Sequence, residues 1–307
     1  MPKKRRKKKV VALEEALGRV PNGACLGIGG HVRENRPAAF LRALLRRGVK
    51  DLTVMTSPSA GFEVDLLVGA GAVRTLYAGY VGFEHLGLAP NFRWAAETGK
   101  VEVIAGEEAT LLGGLLARAE GVPYHPVGSL LGTDFLRLDP DLKRFTAEDG
   151  EEVWMVPALG PEVSVVHAQE ADEYGNLRYL GSPFADPILV RASNRVVATV
   201  DRIVSNRRFR AAPDRTTIQG FRVGCVVEMP FGAHPCGSQG VHVEDEAHLR
   251  TYIEAGRAER KGTSPGAFEA YLRRYVYEPR THEEYLERVG GEDRLAALRA
   301  AVRGNGR

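Results

Sequence analysis

The chain has 307 residues of ordinary globular composition, 44% hydrophobic and 26% charged, with 35 glycines that suit many tight strand–helix turns. No apolar run approaches the roughly 20 residues of a membrane span. No signal-peptide pattern opens the sequence, and Cys25, Cys225 and Cys236 are odd in number, scattered and without CxxC spacing, which argues against a disulfide framework or a zinc site, so the expected location is the cytoplasm. The net charge of +3 comes from seven consecutive basic residues, Lys3 to Lys9; without them 35 basic residues face 39 acidic ones, a mildly acidic body at −4. Residues 1–9 are expected to be a solvated, disordered tail and residues 10–307 one domain. The body adds no basic and aromatic interleaving, so no nucleic-acid partner is expected.

Apolar β-prone runs alternate with helix-period segments through the first half. "ACLGI" (24–28) predicts a strand and "PAAFLRALLRRG" (37–48) a helix that turns Phe40, Leu41, Leu44 and Leu45 inward. Strands follow at 51–56, 72–80 and 101–105, with helices at 61–71, 89–99 and 107–121. Residues 134–152 are charged and aperiodic and read as a linker or loop. "VWMVPAL" and "VSVVHAQ" are strand-like, "EADEYGNLRYLG" suggests a hairpin, 186–194 a helix and 195–204 a strand. From about residue 244 the pattern is amphipathic helix. Such alternation predicts an open, mostly parallel sheet with helices on both faces and further helices at the C-terminus. In such sheets sites gather at the carboxyl ends of the strands.

Glycines 27, 29 and 30 lie between the first strand and helix, where the backbone must be approached closely by a phosphate, another chain or a reacting carbonyl. "GACLGIGG" is not a dinucleotide fingerprint, because Val32 stands where the third glycine would be. His31, His85, His125, His167 and His234 show no metal-ligand spacing, and each reads alone as a hydrogen-bonded loop or core residue. Glu107 and Glu108 follow a strand and open a helix. Acids there answer the helix dipole, or place a carboxylate where a base or nucleophile sits. "VGSLLGTD" offers Ser129 and Thr133 with no visible histidine partner.

The order of motifs resembles one family. "NGACLGIGGHVRENRPAAFLRALLRRGVKDLTVMT", "VPALGPEVSVVHAQEADEYGN" and "MPFGAHPCGSQG" are similar to the A (alpha) subunit of family I coenzyme A transferases, in the glutaconate CoA-transferase branch. "FRWAAETGKVEV", "GVPYHPVGSLLGTD" and "HEEYLERVGG" extend the likeness over residues 10 to 303. The resemblance implies a CoA-transferase-type α/β fold acting beside a homologous B subunit. It implies a CoA thioester and a small carboxylic acid as substrates, with no metal or nicotinamide cofactor. In such enzymes a glutamate attacks the thioester, and a mixed anhydride and then an enzyme–glutamyl-CoA thioester follow. Backbone amides of a glycine-rich loop stabilise the oxyanion, a role open to Gly29 and Gly30.

Two departures shape the expectation. The attacking glutamate of this branch lies in a Ser-Glu-Asn-Gly motif of the B subunit, whereas "RENRP" here has no glycine after Asn35, and Glu34 reads as an exposed loop residue. Related hydrolases that open steroid rings use an acidic residue of the A subunit, and "VEVIAGEEATLLGG" resembles that segment with Glu108 at the catalytic position. The resemblance therefore implies a transferase subunit, alternatively a ring-opening hydrolase using Glu108, alternatively an inactive CoA-binding or regulatory subunit. The expected site is Glu108 with Gly29, Gly30, His31, Tyr80 and Ser129 around the substrate.

Overall fold

The computed structural model describes residues 6–130, 132–135 and 141–304; Lys3, Lys4 and Arg5 of the basic tail lie outside the described residues. Its strands are β1 (Cys25–Ile28), β2 (Leu52–Thr56), β3 (Ser59–Ala60), β4 (Val73–Ala78), β5 (Tyr80–Val81), β6 (Glu102–Ala105) and β7 (Tyr124–Val127). They continue as β8 (Lys143–Thr146), β9 (Glu152–Pro157), β10 (Val163–Ala171), β11 (Leu177–Arg178), β12 (Arg195–Ile203) and β13 (Cys225–Glu228). The helices are α1 (Leu13–Leu17), α2 (Ala38–Arg46), α3 (Phe62–Gly69), α4 (Pro90–Glu97), α5 (Glu108–Glu120) and α6 (Asp186–Ala192). After α7 (Asn206–Ala211) come the C-terminal helices α8 (Glu246–Arg260), α9 (Ala267–Leu272), α10 (His282–Arg288) and α11 (Gly291–Gly304).

The main sheet runs β13-β12-β10-β1-β2-β4-β6, every neighbour parallel, with β11 antiparallel to the far end of β10. From β1 the chain builds outward through β2, β4 and β6, then returns to the opposite side of β1 to lay down β10, β12 and β13. The strand order thus reverses between β1 and β10, and the crevice at their carboxyl ends is where ligands settle in such sheets.

Each central strand is buried on both sides. Leu26, Ile28, Val54, Val165 and Val197 share one core with α1, α2, α3 and α8. Val166, Ala168, Val196, Ala198 and Val200 share the other with Leu115 of α5 and Leu189 of α6. Helix α2 buries Phe40, Leu41, Leu44 and Leu45 as its period predicts. Helix α3 is buried all round, including Glu63 and Asp65, because each acid has partners. Asp65 accepts from Asn91 Nδ2 (2.9 Å), the Tyr252 hydroxyl (2.7 Å) and the Phe92 amide (2.7 Å).

The charged stretch contains an element the pattern does not announce. β8 lies within it and joins an antiparallel β7-β9-β8 sheet beside α5. Lys9, assigned to the tail, donates its amide to Glu173 O and its Nζ to Gly220 O and Val223 O, while Val10 pairs with Val226 along the sheet edge. Among the described residues no helix is long and apolar enough to cross a membrane.

Candidate functional site

The loop leaving β1 turns back tightly on itself. His31 and Glu34 exchange backbone hydrogen bonds (2.9 and 2.7 Å), and Asn35 donates its amide to Gly237 O. Gly29 and Gly30 make this geometry possible, and what approaches them is the protein itself. A Cβ on Gly29 would lie 2.6 Å from Asp186 Oδ1, at the start of α6. Gly30 has φ +88°, and its Cβ would lie 2.6 Å from Glu34 O. The Gly29 amide donates to Val165 O and the Gly30 amide to Asp186 Oδ1 (2.7 Å). Both donors are engaged inside the chain, so in this structure neither is free to meet a thioester oxyanion. Asp186 also accepts from the Tyr179 hydroxyl (2.7 Å), and burial pushes its carboxyl up to about 6.

Beneath the loop lies a fully buried ion pair. Arg36 Nη1 sits 3.0 Å from Glu63 Oε1 and 2.9 Å from Gly29 O, and the same guanidinium reaches Val32 O and Ser59 O. It therefore ties the loops after β1 and β2 to α3. A buried charge of this kind is stable only when its donors are matched, as they are here.

From this anchor Ser59 reaches the rim. Its Oγ donates to Glu108 Oε1 at 2.7 Å, across the sheet from β3 to the first turn of α5. Glu108 is solvent-exposed at this point. The helix cap is a different residue: Glu107 accepts from the Ala109 amide (2.9 Å), and Thr110 Oγ1 accepts from the Glu107 amide (3.0 Å). The Glu107–Thr110 box closes the helix end, which leaves the Glu108 carboxylate for other partners. His31 is stacked on Phe184 with centroids 4.7 Å apart. Burial holds its imidazole below the ordinary value and the Arg36 charge adds to this, while the nearby Glu108 and Glu84 carboxylates oppose it.

Tyr80 belongs to the same rim. It stands in register with Ser59 across the β3–β5 pair, and its hydroxyl accepts from the Glu84 amide (3.2 Å). Gly79 lets the loop before α5 come close, since a Cβ there would lie 3.1 Å from Gly106 O. Ser129 lies on the exposed turn after β7, between Val127 and Leu130, which pack beside Ala109. Glu34 is not the exposed loop residue the sequence suggests. Its carboxylate packs on Gly237, and burial, reinforced by Glu244, pushes it up to about 7 against the pull of Arg33.

The polar motifs of the second half are internal struts. Gln169 Nε2 donates to Asn35 Oδ1 (2.8 Å) and Ser238 Oγ (2.9 Å), and Ser238 donates to Asp201. His167 pairs with Thr199 and Asp201, and His234 with Tyr285 and Asp245, so both are core histidines. Among the described residues no group of three or more His, Cys, Asp or Glu side chains is placed to hold a metal ion. Sequence reasoning missed Ser59, Arg36 and Asp186. Their partners lie 49, 27 and 156 positions away, and the one local signal was "TSPSA" at the end of a strand.

A parallel sheet with a switch point and an anchored carboxylate at its rim is an open α/β scaffold of the kind that takes ligands at the carboxyl ends of its strands. A sequence profile described as coenzyme A transferase matches residues 10–229. An uncharacterized protein of Archaeoglobus fulgidus is 36% identical over 95% of this chain, which spans 64% of that protein's length. The A-type subunit of the glutaconate CoA-transferase of Acidaminococcus fermentans is 28% identical over 92% of each chain. The crystal structure of glutaconate coenzyme A-transferase from that organism superposes with a TM-score of 0.87 at 27% identity, over 94% of this chain and 95% of the other. The IpdA subunit of the cholesterol ring-cleaving hydrolase of Rhodococcus jostii is 30% identical over 87% of this chain and 92% of its own. The chain belongs to the coenzyme A transferase family, as an A subunit of family I.

Proposed function

We propose that this chain is the A subunit of a CoA-transferase, moving CoA from an acyl-CoA thioester to a carboxylic acid beside a B subunit that supplies the covalent glutamate. One observation carries the reading: the amides of Gly29 and Gly30 are closed onto Val165 and Asp186, and Glu34 is wedged against Gly237. The nucleophile and the oxyanion donors then come from outside this loop, which suits a partner placed over the open rim. CoA enters as substrate, with no further cofactor. The three cysteines are free thiols, which supports a reducing compartment such as the cytoplasm.

The test is to incubate the complex with glutaconyl-CoA, trap thioesters with hydroxylamine or borohydride and map the modified peptide. The proposal expects the adduct on a glutamate of the partner; an adduct on this chain would contradict it. The Ser59–Glu108 hydrogen bond favours a second reading, a ring-opening hydrolase in which Glu108 is the base. In that case no glutamyl-CoA adduct forms on either chain. In the hydrolase reading Glu108 is the base itself; in the transferase reading, whose nucleophile lies in the partner, it is an accessory acid–base group at the rim whose loss is mild.

A further inference from the structure

We propose that Ser59 is the positioning residue for Glu108, setting the carboxylate's orientation at the rim; this rests on reading Glu108 as the acid–base group of the site. Ser59 is almost fully buried, yet its hydroxyl donates to a carboxylate on an exposed residue (2.7 Å). Its own place is over-determined from beneath. The Ser59 carbonyl accepts from the buried Arg36 guanidinium and from the Val32 amide (2.9 Å), and its backbone is paired with Tyr80. Arg36 is fixed in turn by Glu63 and by Gly29 O. A carboxylate at the first turn of a helix swings freely about its side-chain bonds unless something holds it. The cap of α5 is made by Glu107 and Thr110, so it places no demand on Glu108. Ser59 is therefore the link through which the rigid Arg36–Glu63 anchor fixes the direction of the Glu108 oxygens. The same anchor shapes the loop that carries His31, so both rim groups share one support.

The test uses the complex with its B subunit carrying Ser59→Ala, Ser59→Thr or Glu108→Gln. Amidation of carboxyls by carbodiimide and glycine ethyl ester, followed by peptide mass, reads how firmly each one is held. Ser59→Ala is expected to raise the Glu108 rate about fivefold, the factor of one hydrogen bond, while Glu107 and Glu84 keep their rates. Ser59→Thr, which retains the hydroxyl, should restore the native rate. Turnover of glutaconyl-CoA with acetate should show Ser59→Ala lowering kcat with KM unchanged. That loss should vanish in the Glu108→Gln background, as coupled residues require. Equal Glu108 amidation in the native and Ser59→Ala complexes overturns the proposal. A Glu108→Gln complex with full turnover overturns instead the reading it rests on, while the amidation rates still decide whether Ser59 holds the carboxylate.

Discussion

Glu107 and Glu108 are adjacent in sequence and differ in what they touch. Glu107 satisfies the free amides of α5; Glu108 turns to Ser59 and the solvent. Replacing Glu107 by Ala should destabilise the protein by about 0.5–2 kcal/mol, with turnover per folded molecule unchanged. Replacing Glu108 by Gln should leave stability nearly untouched. Its turnover should fall a few-fold, short of tenfold, in a transferase and roughly 100-fold or more in a hydrolase, the range of a lost acid–base group. Chemical denaturation alongside steady-state kinetics separates the two residues. The sequence alone left the cap and the base as rival readings of one dipeptide, because either residue fits either role. The resemblance singles out Glu108, and in the structure Glu107 is taken up by the cap while Glu108 meets Ser59. The glycines show the reverse limit: a close approach to Gly29 and Gly30 is legible, but that Asp186, far along the chain, crowds Gly29 and takes the Gly30 amide is not.

At the scale of elements, α8 and α10 and the segment before them pack through neutral histidines. Burial holds His242 down at about 4, His248 at about 3 with His234 adding to it, and His282 at about 3 with Arg42 adding to it. Each binds its proton in the unfolded chain near 6.5 but not in the folded one, so stability is lost as pH falls below that value. The loss is about 2 kcal/mol per histidine at pH 5. Glu34 and Asp186, pushed up to about 7 and about 6, act in the opposite sense, since the folded state takes their protons first. Their gain offsets part of the histidine loss, and His234, also held down by burial, adds to that loss. Urea denaturation at pH 7.5 and 5.0 should show that loss, with amide exchange in α8 and α10 rising first. Equal or greater stability at pH 5.0 would remove the histidines from this role. The helices themselves were legible from their period. β8 was not: all four of its residues are exposed, so no alternation marks it.

For the whole molecule, alternation of strand and helix predicts a parallel sheet, and the structure adds the strand order that puts the switch point between β1 and β10. That order cannot be read from local pattern, because nothing near Val163 says on which side of β1 it will pair. Motif order, by contrast, carried the family, since "GIGGHVRENRP" and "GAHPCGSQG" meet across the Asn35–Gly237 backbone bond. If the covalent glutamate lies in a B subunit, as proposed, the isolated chain cannot turn over acyl-CoA. The most direct measurement compares acyl-CoA turnover, over a panel of thioesters and acceptor acids, by the purified chain alone and by the chain reconstituted with its B subunit. Turnover is expected from the reconstituted pair and none from the isolated chain. Full activity from the isolated chain would contradict that proposal.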